Sequence, residues 1–171
     1  MVWIAGLNPG NATNVTFSSI PQTFTHLQLR AFGRTAFSTA DWELWIQLNG
    51  VGGTSYTYHI LFGNGSSASS AGFISQGFAR IGSIPGSTAT ANAFGVSVCD
   101  ILDYTNTNKN KTIRAIAGFD VNGAGTAGLW SSVYLDTSAI TSITVGTANS
   151  NFATGSRLDL YGITSSQVTG A

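Results

Sequence analysis

Apolar and polar positions alternate with a period of two through much of the chain. From Asp41 to Leu48, Trp42, Leu44, Ile46 and Leu48 alternate with Asp41, Glu43, Trp45 and Gln47. One face of that segment is wholly apolar, as a half-buried strand requires. Residues 26–32 repeat the pattern with Leu27, Leu29 and Ala31 inward, and residues 56–62 place Tyr56, Tyr58, Ile60 and Phe62 on one side. Enrichment in β-branched and aromatic residues predicts further strands at 14–17, 77–82, 93–102, 112–119, 128–135, 141–145 and 157–163. Turn signals separate them at 49–53, 64–66, 84–86 and 122–125. Helical periodicity is almost absent, and only residues 137–140 admit a brief helix. Many strands without intervening helices predict an all-β, jelly-roll-like antiparallel β-sandwich in a single domain.

The body of that domain is expected at 14–163. Residues 1–13 begin apolar and turn polar at Asn8-Pro9-Gly10-Asn11, which suits a first strand or an arm that docks on a neighbour. Residues 164–171 are small and polar and read as a C-terminal arm. Residues 63–72, rich in Gly, Ser and Ala, read as a flexible crown loop, and 103–111 as a polar loop carrying Lys109 and Lys111. There is no dividing linker and no internal repeat.

Charge changes the picture most. Seven basic and seven acidic residues make 8% of the chain, against about 25% in an average domain. With net charge +0 there is no basic excess to neutralise phosphates, so nucleic-acid binding is disfavoured. Hydrophobic content of 43% is too high for intrinsic disorder, and no apolar run is long enough to span a bilayer. A single cysteine, Cys99, allows no internal disulfide and no cysteine metal site. The first residues lack the basic start and long apolar stretch of a signal peptide, so the protein is expected to be made and kept in a cytosol, or assembled there. A surface so poor in charge has little electrostatic protection against association, which points to a subunit of an oligomer or larger assembly.

Candidate chemistry is sparse. Asp41 and Glu43 share a strand face and are the only pair suited to acid–base work, but exposed carboxylates on an outer face are the norm. His26 and His59 lack an oriented acid and a Gly-x-Ser-x-Gly elbow, and their spacing does not suit zinc. Asp100, Asp103, Asn106 and Asn108 lack the order of a calcium loop, and no glycine-rich stretch precedes a Lys-Ser/Thr pair. No enzyme and no cofactor is expected. Trp45, Trp130 and Tyr161 suit a sugar-stacking platform, although core or interface burial accounts for aromatics more simply. Trp45 points away from Trp42 and Leu44, and with Phe32 and Leu61 it suggests a second apolar surface on the outside, the mark of a protein contact.

Several ordered motifs carry a resemblance. They are Phe17-Ser18-Ser19-Ile20-Pro21-Gln22-Thr23-Phe24-Thr25, Gly63-Asn64-Gly65-Ser66-Ser67-Ala68-Ser69-Ser70, the run Ile84-Pro85-Gly86-Ser87 through Ala91-Asn92-Ala93-Phe94-Gly95, Asp103-Tyr104-Thr105-Asn106-Thr107, Asn151-Phe152-Ala153-Thr154-Gly155-Ser156 and Leu160-Tyr161-Gly162-Ile163. In this order, over about 14–163, they resemble a β-domain family of tailed-bacteriophage virion proteins. The resemblance implies a sandwich with a structural or binding role and carries over no catalytic residue. With little in front of the domain, a fibre tip would need another protein to hold it. The first expectation is a capsid decoration (cement) protein on the outer surface of the head, assembled in the host cytoplasm. It would be a homo-oligomer, a trimer, bound to the major capsid protein, with Trp3, Ile4, Phe32, Trp45 and Leu61 as candidate contacts between its subunits or with the capsid. The alternative is a tail-associated receptor-binding module that touches host-surface glycan through loop residues Asn64, Ser66, Asn106, Asn108 and Lys109.

Overall fold

The computed structural model describes residues 1–165, and in it the alternation just read becomes two antiparallel sheets. The strands are β1 (Val2–Leu7), β2 (Asn14–Phe17), β3 (His26–Gly33), β4 (Asp41–Leu48), β5 (Tyr56–Gly63), β6 (Ala68–Gln76), β7 (Ala79–Pro85), β8 (Gly95–Leu102), β9 (Lys111–Asp120), β10 (Gly125–Tyr134), β11 (Ile143–Thr147) and β12 (Arg157–Ile163). Eight form one sheet in the order β1-β12-β3-β8-β9-β10-β5-β6, and four form the other in the order β2-β11-β4-β7. The result is a sandwich-like single domain, all-β as the patterning predicts.

The core lies between the two inner faces. Leu27, Leu29, Ile101, Leu158 and Leu160 from the larger sheet meet Leu44, Ile46, Leu48, Ile84 and Val145 from the smaller, all fully buried. Where β7 crosses the larger sheet the facing residues are small. A Cβ on Gly82 would lie 2.7 Å from that of Ala117, so β7 approaches closely only because Gly82 has none. Tyr56 ties the layers together. It stacks on Tyr134 at 4.9 Å, its hydroxyl accepts from Leu48 N at 2.7 Å, and it donates to Val51 O at 3.2 Å. Cys99 is buried in this core, which pushes its thiol far up, as suits a small apolar filler.

One end of the sandwich is closed by a buried cation. The Lys111 ammonium donates to three backbone carbonyls, those of Asn106, Lys109 (3.0 Å) and Thr137 (2.8 Å). Burial lowers its pKa, and the nearby Asp136 and Asp103 work against that shift. The loop after β8 is thereby wrapped around a charge and held to the segment after β10. Lys109, expected in the same solvated loop, does lie at the surface, where it pairs with Asp103 and holds that carboxyl below its usual range.

Four sequence expectations meet the structure here. Residues 2–7 are β1, paired to β12 throughout, so the first segment is a strand of the sheet. Residues 63–72 are not a crown loop. They form a tight turn followed by the first half of β6, because backbone pairing to β5 orders a stretch whose side chains give no strand signal. Residues 137–140 carry no helix; Asp136 instead accepts from Ser138 N at 2.6 Å in a local turn. The expected arm at 164–171 lies almost wholly outside the described residues.

Replacing Lys111 by Met keeps most of the apolar stem but strands three carbonyls without a donor. The expected loss is about 2–3 kcal/mol, read as a fall of roughly 5–10 °C in the melting midpoint, with the β-sheet circular dichroism unchanged at 20 °C. An unchanged midpoint would show that the three bonds contribute nothing net.

Candidate functional site

Two regions stand out, and the register places both. On the outer face of the eight-stranded sheet, one row of directly paired residues runs Asp159–Arg30–Val98–Ile116–Leu129–Leu61–Ser70. Its centre is an apolar ladder of four side chains on β8, β9, β10 and β5. Ile116 is 68% exposed, and Leu61 and Leu129 are exposed beside it. The next row on that face runs Phe32–Val96–Gly118–Ala127–Gly63. Phe32 and Val96 are exposed, and Phe32 stacks on Phe94 at 4.7 Å. The small residues that follow leave a recess of about 450 Å³, lined by Gly63, Gly118, Gly125 and Ala127 among others. The row on the other side of the ladder is polar: Gln28, Asp100, Arg114, Ser131 and His59. An apolar ridge beside a recess, bordered by polar groups, is the form of a protein-docking face.

The second region is a cleft of about 700 Å³ at the end of the sandwich where the β5–β6 turn, the β7–β8 loop and the β9–β10 turn converge. Phe62, Phe119 and Trp130 supply aromatic walls; Asp41, Asn64, Thr88 and Thr126 supply polar groups. Among the described residues the Asp41 carboxylate and the Thr126 hydroxyl make no side-chain hydrogen bond or ion pair. Trp130 is 2% exposed, and its indole N–H has no acceptor there. Arg80, also in the lining, is committed elsewhere: it pairs with Glu43 at 3.2 Å and donates to Ser83 Oγ at 2.8 Å.

The loops that build the cleft are held by backbone chemistry. Asn64 Oδ1 accepts from Ser66 N, Ser66 Oγ and Ser67 N at 2.9–3.1 Å, and Gly65 adopts φ +89°, so the Gly63-Asn64-Gly65-Ser66-Ser67 motif is a side-chain-closed hairpin turn. The Arg34 guanidinium reaches from the end of β3 and donates to four carbonyls of the β7–β8 loop: Ser87, Ala89, Thr90 and Ala93, at 2.7–3.4 Å. Gly86 passes so near the preceding loop that a Cβ would lie 2.2 Å from Thr39 O. Thr90 Oγ1 then bonds Val121 O at 2.9 Å and joins this loop to the β9–β10 turn.

The expected contact residues separate. Phe32 and Leu61 lie on the outer face described above, and Trp3 lies on the same face at its β1 edge, where it donates to Asp159 at 3.2 Å. Ile4 does not join them. It sits at a register shift in β1 and packs against the core. Trp45 belongs to the other sheet, so it forms no common surface with Phe32 and Leu61. Its ring lies over Gly146, where a Cβ would be 2.2 Å away, and packs on Phe78 at 5.7 Å. The trio Trp45, Trp130 and Tyr161 is likewise no platform, since Trp130 is buried and Arg30 lies 5.0 Å over Tyr161. Of the loop residues, Asn64 lines the cleft and Ser66 is in the same turn, whereas Asn106, Asn108 and Lys109 sit at the opposite end, beyond β8 and β9. His26 accepts from Asp103 N at 2.9 Å, and His59 lies on the outer face over Gly72, with three strands between them. Asp100 accepts from Gln28 at 2.8 Å on that same face.

Ile116, Leu129, Val96 and Arg34 carry these regions and were not singled out from the sequence. In β8 and β9 the inward residues include the small Ser97, Cys99, Ala115 and Ala117 beside Ile101 and Ile113, so the outward Val and Ile bring no contrast in the hydropathy pattern. Arg34 leaves no local signal either, because the carbonyls it holds are 53–59 residues away in sequence. Compared with known proteins, the chain matches no family model, no curated protein and no solved structure.

Arg34→Ala should free the β7–β8 loop without unfolding the sandwich. Hydrogen exchange at residues 87–93 is expected to accelerate by roughly 10- to 100-fold, the loss of one or two charge-assisted bonds, while β3 and β8 keep their protection. Equal acceleration across the core would mean that Arg34 supports the whole fold.

Proposed function

We propose that the protein is a virion structural protein that decorates the outside of a tailed-phage head. In this reading it binds the major capsid protein as a homo-oligomer, through the outer face of the eight-stranded sheet, and stabilises the shell. The apolar ladder Val98–Ile116–Leu129–Leu61 is the observation that carries it. An apolar ridge this continuous on a chain with 8% charged residues favours permanent burial against protein. The motif resemblance supplies the virion setting. The mechanism is additive. Each apolar side chain covered on docking contributes about 1.5–3 kcal/mol, and each copy that bridges neighbouring capsid subunits adds its contact energy to the shell. In this reading the role is structural, which fits the pairing of Glu43 with Arg80, the three strands between the two histidines and the backbone amide on His26.

The test is sedimentation of purified protein with particles that lack it. Wild type is expected to bind in hundreds of copies per particle and to extend survival on heating and in low salt. Ile116→Asp and Leu61→Asp should each weaken binding by roughly 10- to 100-fold, since 1.4 kcal/mol is a factor of ten. A count of a few tens, or full binding by both variants, would rule out the head-lattice role.

The cleft favours a second reading, a tail-associated module that binds host-surface glycan. Aromatic walls beside an unpaired carboxylate, an amide and hydroxyls suit the apolar face and hydroxyl rim of a neutral pyranose, and the volume falls within the range of small-ligand sites. Saturation-transfer NMR with methyl glycosides of glucose, galactose, mannose and N-acetylglucosamine should then show millimolar binding to at least one, abolished by Asp41→Ala and by Phe119→Ala. No transfer from any of the four, or transfer that survives both substitutions, would remove this reading.

A further inference from the structure

The strand β6 is anomalous for a monomer. It pairs only with β5 and ends the eight-stranded sheet, and none of its nine residues is buried. Ile74, at 75%, is the most exposed large apolar side chain among the described residues. Folded proteins protect such an edge with lysines, proline, brevity or a covering loop. The sequence of β6, Ala68-Ser69-Ser70-Ala71-Gly72-Phe73-Ile74-Ser75-Gln76, contains no charge and no proline. Beyond its pairing with β5, the strand makes one hydrogen bond among the described residues, Gln76 Nε2 to Ile74 O at 2.8 Å. The other open edges differ. The strand β2 has four residues, β7 is packed across the larger sheet, and β1 is half covered, with Ile4 and Ala5 against the core.

We propose that β6 is the interface for a second copy of this chain, which adds its own β6 antiparallel across a two-fold axis. The inference rests on the reading of the protein as a homo-oligomer and names the segment that makes it one. An unpaired row of N–H and C=O groups is complementary to an extended strand, and a two-fold axis brings each copy the other's identical row. Self-pairing opposes like residues near the axis, so a charge there would repel its own copy; β6 carries none. The strand β6 keeps unbroken register with β5 from Ala68 to Phe73, and its extended stretch reaches Ile74 before the kink at Ser75, where φ is +56°. Its centre is Ala71, so Ala71 faces Ala71, Gly72 faces Ser70, and the exposed Ile74 lies opposite the partner's Ala68. Small side chains at 68–72 let the strands close to hydrogen-bonding distance on both faces. The pair of eight-stranded sheets becomes one continuous sheet, with both apolar ladders on the same side. The two-fold makes a dimer, in place of the trimer expected from the sequence.

Sedimentation equilibrium tests this directly. Wild type is expected at twice the 17.7 kDa chain mass at micromolar concentration. Ala71→Glu and Ala71→Lys should each be monomeric, with dissociation constants raised at least tenfold, and mixing the two variants should restore the dimer. Ile116→Asp, on the ladder, should remain dimeric. Circular dichroism identical to wild type confirms that the Ala71 variants are folded. A monomeric wild type, a trimer, or a dimer that both Ala71 substitutions leave intact would overturn the pairing. Ala71 variants that are monomeric yet still bind particles would separate this contact from the docking face, since loss of particle binding by Ile116→Asp tests the latter alone.

Discussion

Burial between two sheets of unequal width governs this molecule. Four strands can cover only part of an eight-stranded sheet, and the two layers come closest where β7 crosses β8, β9 and β10. There the fit depends on missing atoms as much as on present ones: Gly82 against Ala117 sets how closely the layers approach. Beyond that zone the larger sheet continues as β5, whose inner residues Tyr56, Tyr58 and Ile60 are still buried, and then β6, none of whose residues is. The cleft at the end of the sandwich and the bare edge at β6 both follow from this shortfall. They are what remains when the smaller layer runs out.

The outer face is governed by a different economy of size. Small inward residues on β8 and β9, such as Ser97, Ala115 and Ala117, make room for β7 to cross. The bulk of those strands is carried on the other side, by Val96, Val98 and Ile116. Along the rows of Val96 and of Val98 and Ile116 the sheet is therefore apolar outside as well as within. A protein with few charges has little else to keep such a face in water. The proposed docking role and the self-pairing at β6 answer the same physical problem on two different surfaces.

Much of the fold was legible because period-two alternation is a direct imprint of one-sided burial. Residues 41–48 and 26–32 are strands with the predicted faces inward. Residues 63–72 were not legible, because an edge strand held by backbone bonds to one neighbour needs no β-branched side chains. Trp45 was misjudged for a related reason. Its place is a slot created by Gly146, distant in sequence, and the lack of a side chain leaves no pattern to read. Lys109 and Lys111 look equivalent in a polar loop; only the curl of carbonyls around one of them makes it a structural cation. The candidate site divides the same way. Phe32 and Leu61 were visible as outward apolar residues, whereas Ile116 and Leu129 were hidden among apolar neighbours.

Arg34 anchors the β7–β8 loop through four carbonyl oxygens and no side chain. Carbonyls are common to all residues, so the anchor is indifferent to which amino acids occupy positions 87–90. The rim of the cleft can therefore diversify at positions such as Thr88 and Ala89, whose side chains make no bond among the described residues, while its backbone path stays constant. A recognition surface built this way can change what it meets without renegotiating the fold that carries it.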